Sequence, residues 1–151
     1  MKVRETGQAG LYLIKFFEEF RPTPYICSGG WRTIGYGHVI LKQETFTKII
    51  KEEALVLLSQ DVKVAERSVC SLINVPLEDY QYDALISFTF NLGGGALQRS
   101  TLRQKLNREE HYTVPDELLR WVWAGGKRLA GLVKRRLAEG NLYSGGEVCF
   151  G

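Results

Sequence analysis

An acid, a thiol and a hydroxyl follow one another near the start of the chain as Glu18-x8-Cys27-x5-Thr33. Glu18 ends an apolar stretch in which Leu11, Ile14 and Glu18 are spaced to share one helical stripe. A carboxylate at a helix C-terminus meets the negative end of the helix dipole, and its stripe implies partial burial. Both disfavour the ionised form, as a general acid at neutral pH requires. Glu19 lies four residues after Lys15, on another stripe, and reads as a surface acid. A thiol such as Cys27 can act as a nucleophile or, once ionised, as a base, with an ordinary pKa of about 8.5. Cys27 and Thr33 flank the turn Ser28-Gly29-Gly30, whose register decides whether they share a face. One acid for a leaving oxygen, and a second group that positions water or attacks, is the minimum set for glycoside hydrolysis. The same residues also read as a surface acid, a small buried thiol and a strand threonine.

The elements that must hold these residues follow from periodicity and punctuation. Residues 4–20 predict an amphipathic helix stopped by Pro22 and Pro24. Between residues 24 and 41, aromatic and β-branched residues alternate with glycine, which predicts short strands and tight turns. Residues 51–73 contain neither glycine nor proline, and Leu55, Leu58, Val62, Ala65 and Val69 keep a helical period. That helix should run about six turns, roughly 35 Å. Beyond Pro76 the pattern stays helical, over residues 77–90, 101–107, 115–123 and 129–139, with glycine-rich breaks at Gly93 to Gly95 and at Gly125-Gly126. The first break lacks a preceding strand and a following Gly-Lys-Ser/Thr, so it reads as a helix connection and not as a phosphate loop. Strands and helices are segregated, which is the α+β class. A small sheet-bearing N-terminal lobe, a long helix and an all-helical C-terminal lobe would leave a cleft between them, where ligands usually sit.

Composition narrows the classes. With 151 residues, 44% hydrophobic and 25% charged, the chain is an ordinary globular one with a sizeable core. The formal net charge is +3, and no segment reads as a signal peptide or a membrane span. Six basic residues and no acid lie between Arg120 and Arg136. They read either as attraction to a polyanion or as a solvated helix face. Three cysteines and two histidines give no zinc spacing, so neither metal nor cofactor is expected.

The stretch from Glu18 to Thr33, continuing as Thr33-Ile34-Gly35-Tyr36-Gly37-His38, resembles the active-site region of the phage-type lysozymes, glycoside hydrolase family 24. That family's pattern is Glu, eight residues, Asp or Cys, five residues, Thr. Ser59-Gln60-Asp61-Val62, residues 84–95 (ALISFTFNLGGG), 100–107 (STLRQKLN) and 120–126 (RWVWAGG), and Leu132 to Arg136 with Ala138-Glu139, resemble successive later pieces, in order. The resemblance implies a single lysozyme-like domain over residues 1–151, with residues 12–60 as the small lobe and 1–11 plus 61–151 as the helical lobe. It implies cleavage of the β-1,4 bond between N-acetylmuramic acid and N-acetylglucosamine in peptidoglycan, causing host cell lysis. It makes Glu18 the acid and Thr33 a residue that holds water or sugar, with Cys27 where many members carry Asp. If Cys27 orients water, the reaction inverts and the two groups stand about 6.5–9.5 Å apart; if it attacks, they stand nearer ~5 Å and configuration is retained. Inversion is the favoured reading. Val39, Phe90 and Thr101 align with cleft-lining, substrate-binding positions, although Phe90 also reads as a core residue. Tyr25, Trp31 and Tyr36 either line the cleft or pack the sheet. His38 reads as structural, with Asp61 as its candidate partner, in preference to a second base. Cys70 and Cys149 could pair, as related enzymes outside the cytoplasm sometimes carry disulfides.

The expected partners are glycan strands, without nucleic acid or stable membrane insertion, for a monomer made in the host cytoplasm. It acts on the wall in the periplasm. With no N-terminal anchor visible, it needs a membrane-permeabilising holin, unless the anchor has been trimmed. Three rival readings differ in class. A Cys27–His38 hydrolase would not need Glu18. A non-catalytic peptidoglycan-binding module of the same fold would bind wall without releasing reducing ends. Lysis of membranes by the cationic 120–136 segment would survive loss of Glu18.

Overall fold

The computed structural model describes residues 3–146. Helix α1 (Gln8–Glu18) leads into a three-stranded antiparallel sheet of β1 (Arg21–Ile26), β2 (Arg32–Gly35) and β3 (His38–Val39), in that spatial order. The long helix α2 (Lys51–Leu72) follows, then α3 (Asp79–Leu92), α4 (Gly94–Arg99), α5 (Thr101–Leu106), a 3-10 turn, α6 (Val114–Leu118) and α7 (Ala130–Tyr143). The α+β reading therefore stands. At 22 residues, α2 is about 33 Å long.

Several boundaries move for identifiable reasons. Helix α1 starts at Gln8, not near residue 4, because Thr6 is tied to Glu66 of α2, its N–H and hydroxyl both donating to Oε2 at 2.6 and 2.8 Å. Gly94 and Gly95 begin α4 instead of forming a plain connection. The expected helix over 115–123 ends at Leu118. Trp123–Ala124 and Lys127–Arg128 instead pair as a second hairpin, β4 and β5, around Gly125-Gly126. Both glycines have positive φ, 57° and 78°, the geometry that a two-residue hairpin turn demands. The C-terminal lobe is thus helical except for this hairpin. The pairing suggested for Cys70 with Cys149 lies outside the described residues.

The core runs continuously from Leu13, Ile14 and Ile34 through Leu58 and Val62 to Leu85, Phe88, Leu102 and Leu118. At its centre α1 lies on α3. Gly10 permits the approach: a Cβ there would stand 3.0 Å from the Cβ of Asp83 and 2.7 Å from Thr6. Asp83 uses that proximity. Helix α1 has no capping side chain of its own. The Asp83 carboxylate accepts instead from the Gly7 and Gly10 N–H groups, at 2.9 and 3.0 Å, satisfying first-turn donors that would otherwise be orphaned. Asp83→Ala should cost about 3 kcal/mol, the scale of losing two bonds to a charged acceptor with the Gly10 donor left buried. Urea melts would read this as a lower midpoint at unchanged slope.

Candidate active site

Glu18 is the last residue of α1, and the chain turns sharply after it. Glu19 has φ 59° and ψ 146°, a conformation rare outside glycine. The turn sends the backbone into β1 and leaves the Glu18 carboxylate 19% exposed, with its Oε2 2.6 Å from Nη1 of Arg135 on α7. From the other side it meets the β2–β3 turn. Gly37 has φ 77°, and a Cβ there would lie 2.6 Å from Glu18 Oε1. Only glycine fits both demands, so the turn and the acid are built against each other.

Cys27 follows β1, and Thr33 is buried in β2. The turn is closed by the Gly30 N–H donating to the Cys27 carbonyl (2.9 Å) and the Cys27 N–H donating to the Trp31 carbonyl (3.0 Å). The register brings the two side chains together. Burial pushes the Cys27 thiol up, but hydrogen bonds from the Thr33 hydroxyl and from N–H groups of the turn outweigh it, and the thiol lies below its ordinary value. Tyr25, opposite Thr33 in the sheet, feels both groups. Burial, then the Glu18 charge, raise its hydroxyl, and Cys27 adds to this. Tyr25 is half-buried beside these groups, while Tyr36 packs in the core and Trp31 stands exposed at the turn.

Val39 and Phe90 meet across a groove of about 400 Å³ floored by Ala65 of α2 and flanked by Gly93. Thr101 is not in that groove but lines a separate cavity with Arg99 and Arg120. His38 is 6% exposed. Its Nδ1 lies 2.8 Å from Asp61 of α2 and its Nε2 lies 2.9 Å from Glu44. With both ring nitrogens engaged, it has no atom left to act as a base.

The basic run is not a uniformly solvated face. Arg135 and Arg136 are 3% and 0% exposed. The fully buried Glu139 accepts from both and from the Ser87 hydroxyl at 2.6 Å. Arg136 also donates to Asn91 and to the Trp121 carbonyl. Lys127 and Arg128 do stand exposed, on the second hairpin.

Comparison with known proteins identifies the family. The Phage lysozyme family model matches residues 15–139. The chain belongs to the phage lysozyme family. The endolysin of Bacillus phage B103 is 42% identical over 143 residues, which are 93% of this chain and 54% of that protein. The endolysin of Acyrthosiphon pisum secondary endosymbiont phage 1 is 39% identical over 91% of this chain and 96% of its own length. The chain thus spans about half of the first relative and nearly all of the second. Among solved structures, the endolysin from Escherichia coli O157:H7 phage FAHEc1 superposes with a TM-score of 0.83 at 32% identity, covering 93% of each chain.

Arg135, Glu44 and the role of Gly37 were not read from the sequence. Arg135 was hidden in a basic run whose members have different fates. Glu44 sits in an irregular segment without periodicity.

The His38 cluster makes stability depend on pH. Burial lowers the imidazole, but the hydrogen bonds it makes to Glu44 and Asp61 outweigh this, so its folded pKa is raised above 6.5. Burial likewise raises the Asp61 carboxyl against the pull of His38. Glu44 is lowered, first by the Leu41 N–H. For a raised imidazole the stabilisation is complete below the unfolded value, about 6.5, and is lost as pH climbs through the folded value. Thermal melts of wild type and His38→Gln between about pH 5.5 and 9 should show the largest gap at the acid end, narrowing as pH rises. A gap independent of pH would mean that the ring contributes packing alone.

Proposed function

We propose that the chain hydrolyses the β-1,4 bond between N-acetylmuramic acid and N-acetylglucosamine in bacterial peptidoglycan, with Glu18 as the proton donor. The observation that carries this reading is the Glu18 carboxylate itself. It is held from behind by Arg135 at 2.6 Å, limited on one face by Gly37, and left partly open within electrostatic reach of Tyr25.

In the proposed reaction a Glu18 proton passes to the glycosidic oxygen as the bond to the muramic acid anomeric carbon breaks. The Arg135 guanidinium then faces the carboxylate that remains, a charge developing where a fixed counter-charge already stands. Water attacks the anomeric carbon from the opposite side, held by Thr33 and Cys27. The lowered Cys27 thiol supports its role, as thiolate, in taking the proton that water gives up. Glu18 regains its proton and Cys27 loses one to solvent, so one water is consumed per bond. Val39 and Phe90 would grip the sugars in the groove they line, with Thr101 farther along the helical lobe. The enzyme would serve host cell lysis as a monomer acting on the periplasmic wall, its passage depending on a membrane-permeabilising partner.

Reducing-end release from purified peptidoglycan should fall by about a hundredfold or more in Glu18→Gln, on the scale of losing a positioned acid. Binding of wall without release of reducing ends by the wild type would instead make the chain a peptidoglycan-binding module. The stereochemistry tests Cys27. Proton NMR of the first product should show the α-anomer, and Cys27→Asp should stay active with the same anomer. A β-anomer first, with a glycosyl adduct on Cys27 by mass spectrometry, would make the thiol a nucleophile.

A further inference from the structure

The outward face of α1 and the grooves beside it bring aromatic rings and lysines together. Tyr12 and Phe16 stand one helical turn apart and are 55% and 45% exposed. They line a groove of about 730 Å³ with Lys15 and Glu19 of the same segment, Lys51 at the start of α2 and Lys134 on α7. Lys15 also lines a second groove of about 360 Å³, which runs between α1 and α2 over Leu11, Leu55, Leu58 and Val62. The two grooves therefore adjoin along Lys15. Glu18, Cys27, Thr33, Val39 and Phe90, the residues of the proposed site, line neither of them.

The charges of the larger groove do not balance. Lys15, Lys51 and Lys134 make no ion pair among the described residues. Glu19 is the single acid among the residues that line it. The turn at Glu19 parts two neighbouring carboxylates: Glu18 meets Arg135, while Glu19 stays with the lysines. The smaller groove adds Lys63, against Glu5 and Glu66, and Glu66 is committed to Thr6. Lys51 and Lys134 are exposed, so their ammonium groups reach water while their stems cover the apolar surface.

Exposed rings and snorkelling lysines on one face match the boundary between lipid headgroups and acyl chains, where a ring can sit in lipid while an ammonium stays at the phosphates. Leu55, 43% exposed, extends the apolar strip. The phosphates of anionic lipids would supply the counter-charge that the lysines lack. No described helix is long and apolar enough to cross a membrane, so such contact is peripheral. We propose that this face docks the protein reversibly on a membrane that carries anionic lipid, with Tyr12 and Phe16 at headgroup level and Lys15, Lys51 and Lys134 on the phosphates. Docking here uses none of the residues of the proposed site and needs no turnover, so it stands or falls apart from the proposed hydrolysis.

The test is co-sedimentation with vesicles of equal parts phosphatidylglycerol and phosphatidylcholine, against vesicles of phosphatidylcholine alone. Wild type should bind the anionic vesicles and not the neutral ones, and more weakly as salt rises. Lys51→Gln should weaken binding about fivefold, and Lys15→Gln with Lys134→Gln about twentyfold, the scale of losing one and two lysines near an anionic surface. Phe16→Ser should weaken it about fivefold at every salt concentration, as lost apolar burial does. Lys127→Gln with Arg128→Gln, on the second hairpin, should change it little. The lysine variants should melt close to wild type and release reducing ends from lipid-free peptidoglycan at the wild-type rate, which separates docking from folding and from hydrolysis. Failure of wild type to bind anionic vesicles would overturn the proposal. So would an equal loss in the hairpin variant and the α1-face variants, the mark of net charge alone. If the lysine substitutions weaken binding to lipid-free walls and not to vesicles, the partner is a wall polymer and the membrane reading fails. If vesicle binding follows these substitutions in a protein that releases no reducing ends, the hydrolase reading fails and the docking face remains.

Discussion

Two arginines and two glutamates meet where α7 crosses α3 and the end of α1, and the arrangement of the whole site depends on them. Arg136 and Glu139 are fully buried and Arg135 nearly so. Removing such ions from water costs several kcal/mol each, and their mutual attraction offsets this only when the remaining donors and acceptors are also satisfied. Here they are: Ser87 supplies a hydroxyl and a carbonyl, Asn91 an amide oxygen, and Trp121 a carbonyl. Glu18 is the one member of the four that reaches solvent, with 19% of its side chain exposed. The cluster is charge-balanced when Glu18 is ionised and carries one excess positive charge when it is protonated. Loss of any one partner would leave a buried charge uncompensated, typically a change of about 3–5 kcal/mol. The carboxylate is therefore aimed by the interior of the helical lobe, not by its own helix.

A second polar cluster fixes the opposite wall. His38 opens β3, and through Asp61 it ties the hairpin to the middle of α2 while Glu44 closes the other ring nitrogen. Between the two clusters lies Gly37, whose turn touches the Glu18 carboxylate. The hairpin is thus positioned at one end by a histidine between two acids and at the other by contact with the acid it serves. Apolar packing in the sheet, Ile34 above all, supplies the stabilisation. The polar groups set register and distance.

The sequence is most legible where a residue's role is set by its own segment. Helix α2 has an unbroken 3.6-residue period, and its observed ends lie within a residue of those expected. The Ser28-Gly29-Gly30 turn is likewise local, because only certain residues adopt its geometry. What stays hidden depends on partners distant along the chain. Arg135 is 117 positions from Glu18, and nothing in a run of lysines and arginines marks which will be buried. Asp83 caps a helix to which it does not belong. The second hairpin was missed because Trp123–Ala124 and Lys127–Arg128 are too short to show alternation, so only the paired glycines announce it. In the site, spacing makes Glu18, Cys27 and Thr33 stand out, yet their mutual orientation comes from sheet register, which one extra residue would reverse.

That register bears on the setting of the Cys27 thiol. The Thr33 hydroxyl has a single proton. It donates to the Trp31 carbonyl at 2.9 Å, and it is also the leading donor to an ionised Cys27. Ionising the thiol therefore competes with the bond from the Thr33 hydroxyl to the Trp31 carbonyl, and the charge on Cys27 is coupled to the backbone beside it. A carboxylate at this position would be ionised throughout the neutral range and would not need that adjustment. In the proposed reaction the thiol instead ionises with help from the turn, so its strength as a base is set by hairpin geometry as much as by its own chemistry. The half-buried Tyr25 is raised first by burial, then by the charge of Glu18, with a smaller contribution from Cys27 across the sheet. In the proposed reaction the acid is held by buried charge and the base by a turn, so its two halves rest on different elements of the fold.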